Sequence, residues 1–128
     1  MSLIKSQQDI VLLRKAGQKL ASVLSKAAVY AKPGVSLIEL DRFITKEIAK
    51  EGAKPSFLGF EGFPNASTLS LNSEVVHGIP DERVLAEGDI IGIDSGLWLG
   101  HVCVDAALTI PIGKIPEKTE KLLREHNL

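Results

Sequence analysis

The stretch from Gly88 to Ala107 constrains the fold more than any other part of the chain. Ile90, Ile91 and Ile93 form a strong strand pattern that opens after Gly88-Asp89, and a second apolar run extends from Val102 to about Ile112. Side chains alternate along a strand. Ile91, Ile93, Leu97, Val102, Val104 and Leu108 therefore share one face, which reads as a core face. The other face carries Gly92, Asp94 and Gly96 from the first run, with Cys103, Asp105 and Ala107 from the second. The pattern predicts a hairpin that is packed on one side and holds two acids in a hollow on the other.

A turn centred between Leu99 and Gly100 sets Asp94 opposite Asp105. A four-residue loop from Trp98 to His101 keeps the same pairing and is easier, because Leu99-Gly100 is not a favoured two-residue hairpin sequence. Directly opposed residues have Cβ atoms about 4.5–5.5 Å apart, and like charges placed so destabilise the sheet. Glycine is poor inside a strand, so two glycines flanking Asp94 suggest that room is being kept. Three devices accommodate the acids: a bound divalent cation, a proton shared between them, or a register that separates them. The pattern alone leaves all three open.

The layer that covers the core face comes from upstream. Ser6-Gln7-Gln8-Asp9 is an imperfect capping box, and Ile10, Leu13, Gly17, Leu20, Leu24, Ala27 and Ala28 recur at helical steps until Lys32-Pro33-Gly34. Gly17 is small enough to admit a close neighbour. Ser36-Leu37-Ile38-Glu39 caps a second helix with Leu37, Leu40, Ile44 and Ile48 as its stripe and Gly52 beyond its end. A short strand is expected over Ser67–Leu71, and a third helix opens at Pro116. Helices, then strands, then a helix predict an α+β fold with an antiparallel sheet in one domain over residues 1–128.

Composition narrows the partners. Fifteen Lys and Arg against 16 Asp and Glu leave a net charge of −1, without the broad basic field of a nucleic-acid binder. No apolar run approaches the ~20 residues of a membrane span, and Met1-Ser2-Leu3-Ile4-Lys5-Ser6 lacks a signal-peptide core. A cytoplasmic protein that binds neither nucleic acid nor membrane is expected. Cys103 is the one cysteine, so no internal disulfide forms.

Other residues stand out one by one. His77 precedes Gly78-Ile79-Pro80 at a turn, where a side chain reaches a cleft. His101 and His126 read as surface residues. Cys103 reads as a small buried residue, or as a thiol beside a metal. Phe57, Phe60 and Phe63 lie three apart among Gly59, Gly62 and Pro64. They read equally as core-edge plugs or as an apolar wall for a ligand.

Phe63-Pro64-Asn65-Ala66-Ser67, Leu71-Asn72-Ser73-Glu74-Val75-Val76-His77-Gly78-Ile79-Pro80 and Gly88-Asp89-Ile90-Ile91-Gly92-Ile93-Asp94 resemble the type I methionine aminopeptidases. The separation of eleven between Asp94 and Asp105 resembles that of the family's first two metal ligands. The resemblance covers essentially the whole chain and implies one half of a pita-bread fold, with two long helices on one face of the sheet and a short C-terminal helix. It implies removal of N-terminal methionine from peptides and nascent proteins by a water bridging two divalent metal ions (Co, Mn, Fe, Zn or Ni). Asp94 resembles the ligand of one metal and Asp105 the carboxylate bridging both. His77 resembles the histidine that contacts substrate and steadies the tetrahedral intermediate. Phe60 and Phe63 fall where the family lines its methionine pocket.

The chain also departs from the family. Its remaining ligands, one His and two Glu, come from a second half with no counterpart here, and His126 lies too close to Asp105 to replace one. Val104 stands where a glycine or serine usually precedes the second aspartate. The implied partners are a peptide N-terminus, and either a second copy of the chain in a homodimer or the missing C-terminal half. The alternative reading is a non-catalytic half-length protein that binds peptide or a partner.

Overall fold

A computed structural model describes residues 6–58, 64–72, 79–114 and 117–126. Helix α1 (Gln7–Tyr30) opens with the predicted capping box. Ser6 Oγ accepts from the Asp9 amide at 3.1 Å, and Asp9 Oδ2 accepts from the Ser6 amide at 3.4 Å. Aspartate therefore completes the box despite its shorter reach. Helix α2 (Leu37–Lys50) starts where Ser36 Oγ accepts from the Glu39 amide at 3.1 Å, and Gly52 follows its end with φ 74°. Two short strands, β1 (Lys54–Pro55) and β2 (Ser67–Leu71), precede the hairpin of β3 (Ile90–Leu99) and β4 (Val102–Pro111), and α3 (Glu117–His126) ends the described chain. Sequence patterning did not resolve β1, which is too short to show alternation.

Every strand pair is antiparallel. Strand β4 pairs with the full length of β3 on one edge, so β1 and β2 lie end to end along the other. Helix α1 packs over β3 and β4, and α2 over β1 and β2. The core between them holds Leu20, Val23, Leu37, Leu40, Ile44, Ile48, Leu69, Ile91, Ile93 and Leu97, all at most 1% exposed. The predicted core face of the hairpin is thus the helix side. Gly17 does not serve as a point of close approach, because an added Cβ there would meet nothing within 4 Å.

The hairpin turn lies one residue later than expected. Its loop is Gly100-His101, with Leu99 paired to Val102. Gly100 has φ 60° and His101 is not in the left-handed region, the pattern of a type II′ turn with glycine first. Moving the turn centre by one residue moves every pairing by two. Asp94 therefore faces Ala107, and Asp105 faces Gly96. The predicted direct opposition of the two acids is corrected by the turn that glycine permits.

Candidate metal site

Asp94 and Asp105 nevertheless share the open face of the sheet, as diagonal neighbours across the hairpin. Cα atoms in that relationship lie about 7–8 Å apart, with Cβ atoms somewhat closer. Two unit charges at about 7 Å repel by about 0.6 kcal/mol in water and about 2.4 at an effective dielectric of 20. The stagger makes the pair tolerable while leaving both carboxylates able to converge on a hard cation, whose oxygen ligands sit at about 2.0–2.6 Å. Asp94 is half-buried and Asp105 exposed. Thr68, 7% exposed, pairs with Asp94 from the other side, in β2.

The two flanking glycines do different things. A Cβ on Gly96 would collide with Ser56 Oγ and stand 2.8 Å from the Val104 carbonyl oxygen and 3.2 Å from Asp105 Cβ. The space at Gly96 is therefore already filled by Ser56, just after β1, and by β4 rather than held open. At Gly92 the nearest atoms are those of Ser70 at 3.8 Å, so room does remain there.

A polar insert lies on the helix side of the sheet, beside this pair. Asp41 of α2 is 6% exposed. Its Oδ1 accepts from the Ser67 amide at 3.0 Å and from Ser67 Oγ at 2.7 Å, and its Oδ2 accepts from Asn65 Nδ2 at 3.1 Å. Ser67 pairs with Ser95, whose Oγ donates to the Ala66 carbonyl at 2.9 Å. Sequence reasoning passed over Asp41, although the signal was present: an acid one turn after Leu37, on the apolar stripe of its helix.

The remaining candidates separate. His101, at the hairpin tip, meets Asp9 at the start of α1, and that contact holds the Asp9 carboxyl below the usual aspartate range. His101 is a surface residue tying the turn to a helix, away from the acid pair. Cys103 is exposed rather than buried, and faces Trp98 across the hairpin. His77, Phe60 and Phe63 lie outside the described residues, as does the side chain of His126. Among the described residues no group of three or more His, Cys, Asp and Glu converges. The donors in hand are two carboxylates, hard oxygen ligands that fit part of a divalent-cation site.

Comparison with known proteins gives this geometry a lineage. The profile of Metallopeptidase family M24 matches residues 11–126. The chain belongs to this family. Among M24 relatives it is 48% identical over 120 residues to a methionine aminopeptidase of Helicobacter pylori, covering 94% of this chain and 47% of that protein. It is 42% identical over 123 residues to methionine aminopeptidase 1 of Bacillus subtilis, covering 96% and 50%. The crystal structure of a methionine aminopeptidase from Thermotoga maritima superposes with a TM-score of 0.89 at 33% identity, over 97% of this chain and 50% of that one. Prolidase from Pyrococcus furiosus shares the fold alone, with a TM-score of 0.78 at 22% identity. The chain spans about half the length of the curated relatives it matches. The architecture is therefore half of the pita-bread fold of these M24 enzymes, as the sequence resemblance implied.

Proposed function

We propose that Asp94 and Asp105 supply two carboxylate ligands of a divalent-metal site that serves hydrolysis of the peptide bond after an N-terminal methionine. The observation that carries this reading is their placement as diagonal neighbours on one open sheet face. M24 membership and the similarity to proteins named methionine aminopeptidase support the reaction class.

When bound, such metal ions polarise a carbonyl and lower the pKa of water, producing a nucleophile at neutral pH. The protein's part is to fix the spacing of both carboxylates through the β3–β4 register. Asp105 faces solvent, so its carboxylate would be accessible as a ligand. Asp94, more buried and paired with Thr68, is the better-fixed ligand. In this reading His77 contacts the substrate and steadies the charge that develops on its carbonyl, and Phe60 and Phe63 form the apolar wall for the methionine side chain.

A second reading is favoured by one observation. Strand β4 pairs only with β3, so among the described residues its outer edge has no strand partner. An open edge is a template for another chain, which suits a non-catalytic protein that binds a partner or a second copy of itself.

Hydrolysis of a methionine-initiated peptide with added Co²⁺ or Mn²⁺ separates the readings. The 128-residue monomer is expected to turn over little or not at all, because two carboxylates are a partial ligand set. Metal-dependent turnover that is lost in Asp94→Asn and Asp105→Asn supports catalysis at this site. Peptide binding indifferent to metal supports the second reading. Robust turnover by a proven monomer would overturn the need for further ligands.

A further inference from the structure

Asp41 is a nearly buried carboxylate that touches neither acid of the proposed site, yet all three of its hydrogen bonds run to the segment entering β2. A buried carboxylate is costly unless it is fully hydrogen-bonded, so three donors on one group mark a specific arrangement. The Ser67 amide goes to this carboxylate, where a further strand would otherwise accept it. The next residue, Thr68, is the β3-facing neighbour of Asp94. A two-residue slip of β2 would keep its leucines on the core, since side chains alternate with period two. It would set Ala66 or Ser70 against Asp94 in place of Thr68 and carry Ser67 away from Asp41.

We infer that Asp41 is a positioning residue: by clamping Asn65 and Ser67 from the helix layer, it sets the register of β2 that places Thr68 against Asp94 and so fixes that carboxylate for metal. This rests on the proposed metal site. The backbone pairing of β2 with β3 does not by itself select the register. Leu69 and Leu71 pack on the core while Thr68 and Ser70 face away from it, which fixes the facing of β2 but does not exclude a slip of two residues, which keeps that facing. The Asp41–Ser67 contact joins α2 to β2 at one defined residue and supplies the missing specification.

The mechanism is geometric, not electrostatic, and variants separate the two. Asp41→Asn keeps an oxygen for both Ser67 donors, and the Asn65 amide can turn to offer its oxygen to the new Nδ2. Asp41→Ala removes every acceptor. Ser67→Ala removes one bond and serves as the milder variant if Asp41→Ala does not fold. Mn²⁺ affinity is measured by calorimetry well below the melting temperature of each variant, where a loss of global stability alone leaves the affinity unchanged. Outer-shell changes typically cost about 10–100-fold in metal affinity. Asp41→Ala is expected to weaken Mn²⁺ binding about 10-fold, Ser67→Ala by less, and Asp41→Asn to stay within about 3-fold of the parent.

Folded Asp41→Ala or Ser67→Ala that bind Mn²⁺ like the parent would overturn the inference, and so would Asp41→Asn as weak as Asp41→Ala, which would indicate charge rather than position. If the parent binds no Mn²⁺, the metal reading of this chain fails separately. Amide exchange at Ser67 and Thr68 then decides the role of Asp41. Exchange accelerated there and not across β3–β4 supports the clamp, and uniform acceleration overturns it.

Discussion

Asp105 stands opposite Gly96, and a side chain at position 96 would press on its Cβ from 3.2 Å. Ser56 Oγ, just after β1, and the Val104 carbonyl of β4 close the same space. The junction of three strands beside the second acid is thus built around the absence of one methyl group. Gly96→Ala is expected to destabilise the protein by about 1–3 kcal/mol, the usual cost of overpacking, and to displace Asp105. Urea unfolding midpoints read the first effect and Mn²⁺ affinity the second. An alanine variant as stable as the parent would show that β1 yields freely.

Acid should weaken the fold through two surface carboxylates. Asp9 is held below the usual aspartate range chiefly by its hydrogen bond to His101, and Asp81 chiefly by the Arg83 amide and guanidinium. A depressed folded-state pKa favours the ionised form in the folded state. Its stabilising contribution is complete above the unfolded value of about 4 and is lost as pH falls through the lower folded value. Unfolding midpoints between pH 5 and pH 2 should fall less steeply in Asp9→Asn and Asp81→Asn than in the parent. Parallel curves would show that neither contact persists in solution.

The core should respond by position rather than by residue type. Ile44, fully buried on α2, is expected to cost about 2–5 kcal/mol when cut to alanine. Ile10, 47% exposed on α1, should cost under about 0.5 kcal/mol, as surface changes usually do. Thermal unfolding of the two variants checks the contrast, and equal losses would contradict the packing of α2 against the sheet.

Much of this architecture was legible because the signals are local. Ser6 and Ser36 cap helices where a hydroxyl precedes an apolar stripe, and Ile91, Ile93 and Leu97 alternate into the core as strand periodicity requires. The register was not legible, because it depends on which residue of the loop takes a positive φ. Glycine at 100 rather than the centre of Leu99-Gly100 decides it. Asp41 was missed for a different reason: helical periodicity marks its position as core, and its partners Asn65 and Ser67 lie 24 and 26 residues away. Its satisfaction is a tertiary fact. Cys103 is exposed because alternation puts it on the open face of the hairpin, a position that outweighs the general tendency of free cysteines to be buried.

The open edge of β4 leads to an expectation about association. Its central residues Asp105, Ala106 and Ala107 are exposed, and the strand carries no lysine or arginine to repel a second strand. Edge-to-edge pairing of two copies would bring four carboxylates near one cleft, so self-association should increase with added divalent cation. Sedimentation with and without Mn²⁺ tests this. A monomer at high concentration, unchanged by the metal, would remove the homodimer.

The central claim is that Asp94 and Asp105 act together on a divalent cation, and calorimetric titration with Mn²⁺ tests it most directly. Two carboxylates form an incomplete ligand set, so the 128-residue chain should bind Mn²⁺ weakly. Asp94→Asn and Asp105→Asn should each weaken that binding further while the protein stays folded. Tight binding that survives both substitutions would place the metal elsewhere and contradict the account.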